Sequence, residues 1–203
     1  MPVLIGTTEH ESALMLALAR ARAGRPYEFT EDEMLGAVRA VVGDAADRVI
    51  TTYRATQPGA SPWEIAAKVA SEIPRLKSIA LAERHAASSA HPVFMYLMTY
   101  RTDYLDGALL ACHALDLPFM FDNVDSVSLA GQRPDKHELA DSMSEAWLAF
   151  ARTGDPNHAG LPRWERYTKD HRATMLFDVP SRVEVDPNRE ERLAWEGVPV
   201  PGL

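Results

Sequence analysis

The chain has 203 residues, 21 Lys and Arg against 29 Asp and Glu, a net charge of -8 at pH 7, and 46% hydrophobic residues. These values suit one globular domain or a large part of a bigger one, and the acidic balance argues against a nucleic-acid or membrane-surface partner, which needs a basic patch. A single cysteine excludes an intrachain disulfide and suits a reducing, cytoplasmic compartment; no apolar run reaches the roughly 18 residues that span a bilayer, and no signal peptide opens the chain.

Pro2 to Gly6 reads as a short apolar strand of the kind buried on both faces of a parallel sheet. A helix follows over Ser12 to Arg22, with Leu14 and Leu18 on one stripe and Gly24 as its stop. Thr30-Glu31-Asp32-Glu33 is a capping box before Met34, Val38 and Val41, and Gly43 ends that helix. Ser61-Pro62-Trp63-Glu64 is a second capping box, with Pro at the first helical position. Its helix carries Ile65 and Val69. Pro74 is expected to break it, with a further helix over Leu76, Ile79 and Ala80.

Pro92 to Tyr100 is apolar throughout and predicts a second buried strand. Asp135 to Glu138 starts a helix whose stripe is Leu139, Met143, Ala146, Trp147 and Phe150, and Gly154-Asp155-Pro156 ends it. Thr174 to Asp178 and Arg182 to Asp186 predict two short strands. The tail from Pro187 is polar, with Trp195 as its one anchor. This order is an α/β pattern. Only two sheet strands precede residue 170, too few for a complete doubly wound domain. The incompleteness points to missing chain on the N-terminal side.

Two acidic and basic residues stand out. Glu11 follows the first strand and His113 follows the second. By pattern alone Thr8-x-x-Glu11 is a capping box, in which Glu11 bonds the Thr8 amide. His113 by spacing alone is an ordinary loop histidine. Cys112 reads as a small buried cysteine, not a thiol nucleophile. Glu9-His10-Glu11 lacks the helical i, i+4 His pair of zinc peptidases, so no metal is expected. His85, His91, His137, His158 and His171 read as surface or capping residues.

Three segments carry a resemblance. Ile5-Gly6-Thr7-Thr8-Glu9-His10-Glu11-Ser12 resembles an acid loop in which a strand ending in Gly leads to a catalytic Glu, with His10 and Ser12 as departures. The segment from Ala111 to Phe121 resembles a His-x-x-Glu-Leu-Pro-x-x-Phe motif, with Asp116 in place of the Glu. Ala146 to Asn157 with Leu161 to Tyr167 resembles a late helix followed by Pro-Trp-x-x-Tyr. Together they resemble the C-terminal portion of the type-B carboxylesterases, the cholinesterase-like branch of the α/β-hydrolases, over residues 1–203 as one unit.

The resemblance implies carboxylic ester hydrolysis by a Ser-Glu-His triad, in the order Ser, acid, His. His113 is the implied general base and then acid, Glu11 the residue that orients it, and no cofactor is implied. Tyr104 to Leu110 and the helix after Ser12 are expected to line the acyl or alcohol pocket. No Gly-x-Ser-x-Gly occurs in the 203 residues, and no Gly-rich oxyanion loop either. Ser126 and Ser128 lack the glycine that a nucleophile elbow needs. The isolated chain is therefore expected to be inactive, and to self-associate or pair with the missing portion. Two alternatives stand beside the enzyme: a non-catalytic cholinesterase-like scaffold and a truncated inactive product.

Overall fold

The computed structural model describes residues 1–203. Strands β1 (Val3–Thr8), β2 (Val93–Met98), β3 (Ala173–Phe177) and β4 (Arg182–Val185) form one sheet in the order β1-β2-β3-β4. β1 and β3 run parallel to β2, and β4 returns antiparallel beside β3. Parallel neighbours need long crossovers. Helices α1 (Ala13–Arg22), α2 (Glu31–Val42), α3 (Ala46–Thr56) and α4 (Pro62–Ser88) fill the first crossover. Helices α5 (Asp116–Met120) and α6 (Lys136–Thr153) fill the second, and α7 (Arg189–Ala194) follows β4.

β2 is buried along its whole length because strands flank it and helices cover both faces. Phe94, Tyr96 and Met98 join Leu139, Met143 and Ala146 of α6 and Trp164 in the main core. Val93 and Met95 pack with Ile79 and Ala82 of α4 on the other face. The Pro-Trp-x-x-Tyr segment staples to β2. The Trp164 indole N–H donates to the Met95 carbonyl at 3.1 Å, and the Tyr167 amide donates to the Val93 carbonyl at 2.8 Å. A third cluster lies between α2, α3, the start of α4 and Trp195.

Both capping boxes form with both of their hydrogen bonds, at Thr30 with Glu33 and at Ser61 with Glu64. Gly154 closes α6 in the left-handed conformation, at φ 78°. Several expectations need correction. Pro74 does not break its helix: α4 runs unbroken from Pro62 to Ser88. An interior proline costs about 3 kcal/mol. Here Ile65, Ala67 and Val69 are buried before it and Ile79 and Ala82 after it, at about 1.5–3 kcal/mol for each large apolar side chain, which outweighs that cost. The Arg75–Glu72 ion pair also bridges the site.

The strand at Val3 is not buried on both faces. Val3 to Gly6 are half-buried, because β1 is an edge strand of this sheet. The fully buried face of α1 is Ala13, Ala17 and Arg20; Leu14 is half-buried against the main core, whereas Leu18 is not on the buried stripe. Small alanines let α1 lie close to its neighbours, and Met15 (54% exposed) and Leu18 (42%) face out.

Candidate active site

Glu11 sits just past β1, and the chain on each side of it is anchored. The Glu9 amide donates to the Met98 carbonyl and the His10 amide to the Ala111 carbonyl, each at 2.9 Å. His10 and Cys112 thereby pair as a parallel bridge, so the loops carrying Glu11 and His113 extend the β1–β2 ladder. The Ser12 amide donates to Ser71 Oγ of α4 at 2.9 Å, and that hydroxyl donates to the Ala67 carbonyl. Glu11 is thus held at a fixed point above the ends of the strands.

The Glu11 carboxylate divides its two oxygens. Oε1 accepts the Thr8 amide at 2.9 Å, and Oε2 lies 2.6 Å from His113 Nδ1. The Thr8 amide bond and the His113 contact coexist, one oxygen each, but the expected capping box does not form: Thr8 ends β1, its hydroxyl has no partner, and the helix starts only at Ala13 with Ser12 as its N-cap. A carboxylate only accepts, so Nδ1 carries the proton and the neutral ring keeps its lone pair on Nε2. Such a charge-assisted bond is among the stronger ones. The His113 side chain is 63% exposed, against 17% for Glu11. The ring therefore leans on a mostly covered carboxylate and presents its other edge outward. Backbone geometry turns the chain sharply here: Ala114 has φ 64°, and the Leu115 amide bonds back to the Cys112 carbonyl.

Two further layers surround this pair. The Tyr96 hydroxyl of β2 donates to Asp116 Oδ2 at 2.9 Å, at the start of α5. Below the acid loop, Lys68 Nζ lies 2.9 Å from Glu9 Oε1 and 3.2 Å from Glu191 Oε2. Burial works to raise the Glu9 carboxyl, but the Lys68 ammonium and His10 hold it at about 2. His10 is fully buried, and neither ring nitrogen has a hydrogen-bond partner. Burial pushes it down to about 4, so it is neutral at pH 7. None of Tyr96, Lys68 or Glu191 stood out in the sequence. The one available signal was Lys68 itself, a lysine on the apolar stripe between Ile65 and Val69.

Other candidate groups lie outside the pair. Cys112 is buried, and burial pushes its thiol up to about 12. Glu9 and Glu11 turn to different partners, Lys68 and His113, so Glu9-His10-Glu11 does not converge on one point. Leu105 and Leu110 line an open cleft of about 500 Å³ with Tyr27 and Trp63. That cleft includes neither Glu11 nor His113 nor any residue of α1. His85 and His158 are half-buried, and His91, His137 and His171 are exposed.

The sequence model of the carboxylesterase family matches residues 1–195. Among curated relatives, the phenmedipham hydrolase of Pseudarthrobacter oxydans is 32% identical over 137 residues, 64% of this chain and 27% of that protein. The para-nitrobenzyl esterase of Bacillus subtilis is 32% identical over 120 residues, 56% of this chain and 23% of that protein. Among solved structures, a Geobacillus stearothermophilus carboxylesterase superposes with a TM-score of 0.76 at 35% identity, covering 96% of this chain and 40% of its own. The chain thus spans about a quarter of the curated relatives and two fifths of the structural one.

Proposed function

The chain belongs to the carboxylesterase family, and from that premise we infer that residues 1–203 are the C-terminal portion of a serine-type ester hydrolase. They supply the acid and the base of a Ser-Glu-His triad, Glu11 and His113. The observation that carries this reading is the 2.6 Å contact between Glu11 Oε2 and His113 Nδ1, across 102 positions of sequence. A nucleophile-bearing segment supplies the serine, because these 203 residues hold no Gly-x-Ser-x-Gly.

In this reading His113 Nε2 takes the hydroxyl proton as the serine attacks the ester carbonyl. The imidazolium then protonates the leaving alcohol. A water next attacks the acyl-serine, gives its proton to Nε2, and the acid departs as the serine is re-protonated. Glu11 keeps the tautomer and stabilises the imidazolium throughout. The substrate is a carboxylic ester, and no cofactor takes part.

Surface chemistry supports a complementing segment. Met15 of α1 (54% exposed), Leu117 (47%) and Phe121 (74%) of the base loop are apolar and open. β1 is at the sheet edge, where amides on alternate residues point away from β2. We assign the β1 edge to the nucleophile-bearing segment, whose strand would pair with it. The test mixes the chain with a separately made upstream portion of the Geobacillus esterase and assays a short-chain nitrophenyl ester. Each part alone is expected to be inactive, and the mixture active only with His113 intact. Robust turnover by the chain alone, blocked by a serine-directed phosphonate, would overturn the reading.

A further inference from the structure

Glu11 lies between two differently held ends of its loop. The entry is set by the sheet: Gly6 stands against Tyr96 in the β1–β2 ladder, where a Cβ would fall well inside van der Waals contact with that ring. The Glu9 and His10 amides then continue the ladder onto the Met98 and Ala111 carbonyls. The exit leaves the sheet for α1 and has no ladder to hold it. It is the N-cap residue Ser12, whose own side chain makes no cap hydrogen bond.

Helix α4 supplies what the exit lacks. Ser71 is 2% exposed, and its Oγ accepts the Ser12 amide at 2.9 Å while donating to the Ala67 carbonyl, one turn back, at 2.6 Å. Its one proton is committed to Ala67, so the lone pair it turns to Ser12 has a fixed direction. Lys68 stands three residues before Ser71, on the same face of α4, and its ammonium meets Glu9 Oε1 at 2.9 Å. The helix thus grips the loop at residues 9 and 12, with Glu11 between. The Ser12 amide belongs to the peptide group that joins Glu11 to Ser12, so the bond from Ser71 restrains the backbone immediately beside the Glu11 side chain.

We propose that Ser71 is a positioning residue: by anchoring the Glu11–Ser12 peptide to α4, it fixes where Glu11 Oε2 meets His113 Nδ1. This rests on the Glu11–His113 pairing proposed above and concerns what holds it in place. Ser71→Ala leaves the Ser12 amide without that acceptor. The peptide is then free to turn, and the carboxylate moves with it. His113 loses its single orientation as a result.

The experiment uses the full chain labelled with 15N-histidine and reads the His113 Nδ1 chemical shift at one fixed pH, with Glu11→Gln as the reference for a lost carboxylate. Ser71→Ala is expected to move this shift by at least about a third of the Glu11→Gln movement, and to add little in a Glu11→Gln background, as coupled sites do in a double-mutant cycle. Ser71→Cys, close in size but a weaker acceptor, should move it less than Ser71→Ala. His85, in the last turn of α4 with Nε2 3.1 Å from the Met1 carbonyl, reports on the helix as a whole and should stay put. No His113 movement in Ser71→Ala, or equal movements with and without the Glu11 carboxylate, would overturn the proposal. A His85 movement as large as that of His113 would also overturn it, because the whole helix would then have loosened. Should both Ser71 variants unfold, hydrogen exchange in the native chain still decides: a protected Ser12 amide supports the anchor, and one that exchanges like an exposed amide overturns it. A Glu11→Gln change with no movement at all would instead sink the pairing itself, which separates the two failures.

Discussion

Lys68 Nζ and Glu9 Oε1 lie 2.9 Å apart beneath the turn that carries Glu11, with side chains only 4% and 14% exposed. Glu191, 1% exposed, faces the same ammonium from α7, and Thr56 and Gln57 donate to its other oxygen. One buried cation thus ties the acid loop, α4 and the tail together. Lys68→Met would leave two carboxylates without their cation, and breaking a buried pair costs about 3 kcal/mol or more. Urea unfolding at pH 7 should show this loss. It should shrink toward pH 4, where the stranded carboxylates can take up protons. A loss of a few tenths of a kcal/mol would mean the network is solvated.

His10 sets a second dependence on pH. Its folded value is about 4 against 6.5 for the free side chain, with burial as the main cause. The unfolded chain therefore binds this proton first as pH falls. The stability is present above 6.5 and is lost on the way down to 4. Between pH 7 and pH 5 the native chain should lose about 2 kcal/mol from this group. His10→Leu should keep that stability. Unfolding midpoints at the two pH values measure both, and equal losses in the two proteins would contradict the assignment.

Glu11 has two jobs that substitution can separate. Glu11→Gln keeps an acceptor for the Thr8 amide, so stability should change by less than about 0.5 kcal/mol, while Glu11→Ala loses that hydrogen bond at about 1 kcal/mol. In the complemented enzyme the Gln variant should still lose activity on the order of 10⁴-fold, because a neutral partner no longer orders the imidazole or its charge. An active Gln variant would reduce Glu11 to a tie for the Thr8 amide.

The open β1 edge and the exposed apolar side chains Met15, Leu117 and Phe121 should make the isolated chain associate. Light scattering at micromolar concentration is expected to show dimers or larger species, and a hydrophobic dye should bind. Phe121→Ser, at a side chain 74% exposed, should reduce dye binding with little change in unfolding midpoint. A clean monomer that binds no dye would count against the complementing segment.

What sequence could show follows the range of the interactions. The capping boxes at Thr30 and Ser61, the apolar strand at Val93 and the glycine stop at Gly154 are local patterns, and each forms where expected. The α3 helix was missed because its start, Ala45, makes no side-chain cap and Val49, Ile50, Thr51 and Thr52 are poor helix formers. It is held by burial of Val49 and Tyr53 instead, a tertiary effect. α7 opens at Asn188 in the left-handed region, again without a side-chain cap. The Glu11–His113 contact was reachable only through family resemblance, since nothing local links positions 102 apart. The Lys68 network joins three distant segments, and Tyr96 sits in a strand that reads as uniformly apolar.

Gly6 stands opposite Tyr96 in the β1–β2 ladder. Sliding β1 by one residue would set Ile5 or Thr7 against that ring, each with a side chain where none fits. The ladder therefore admits one alignment. Each step of slip would also carry Glu11 about 3.3 Å along the sheet, farther than a hydrogen bond to His113 can stretch. The residue with no side chain is the gauge that sets how far the acid projects beyond the sheet.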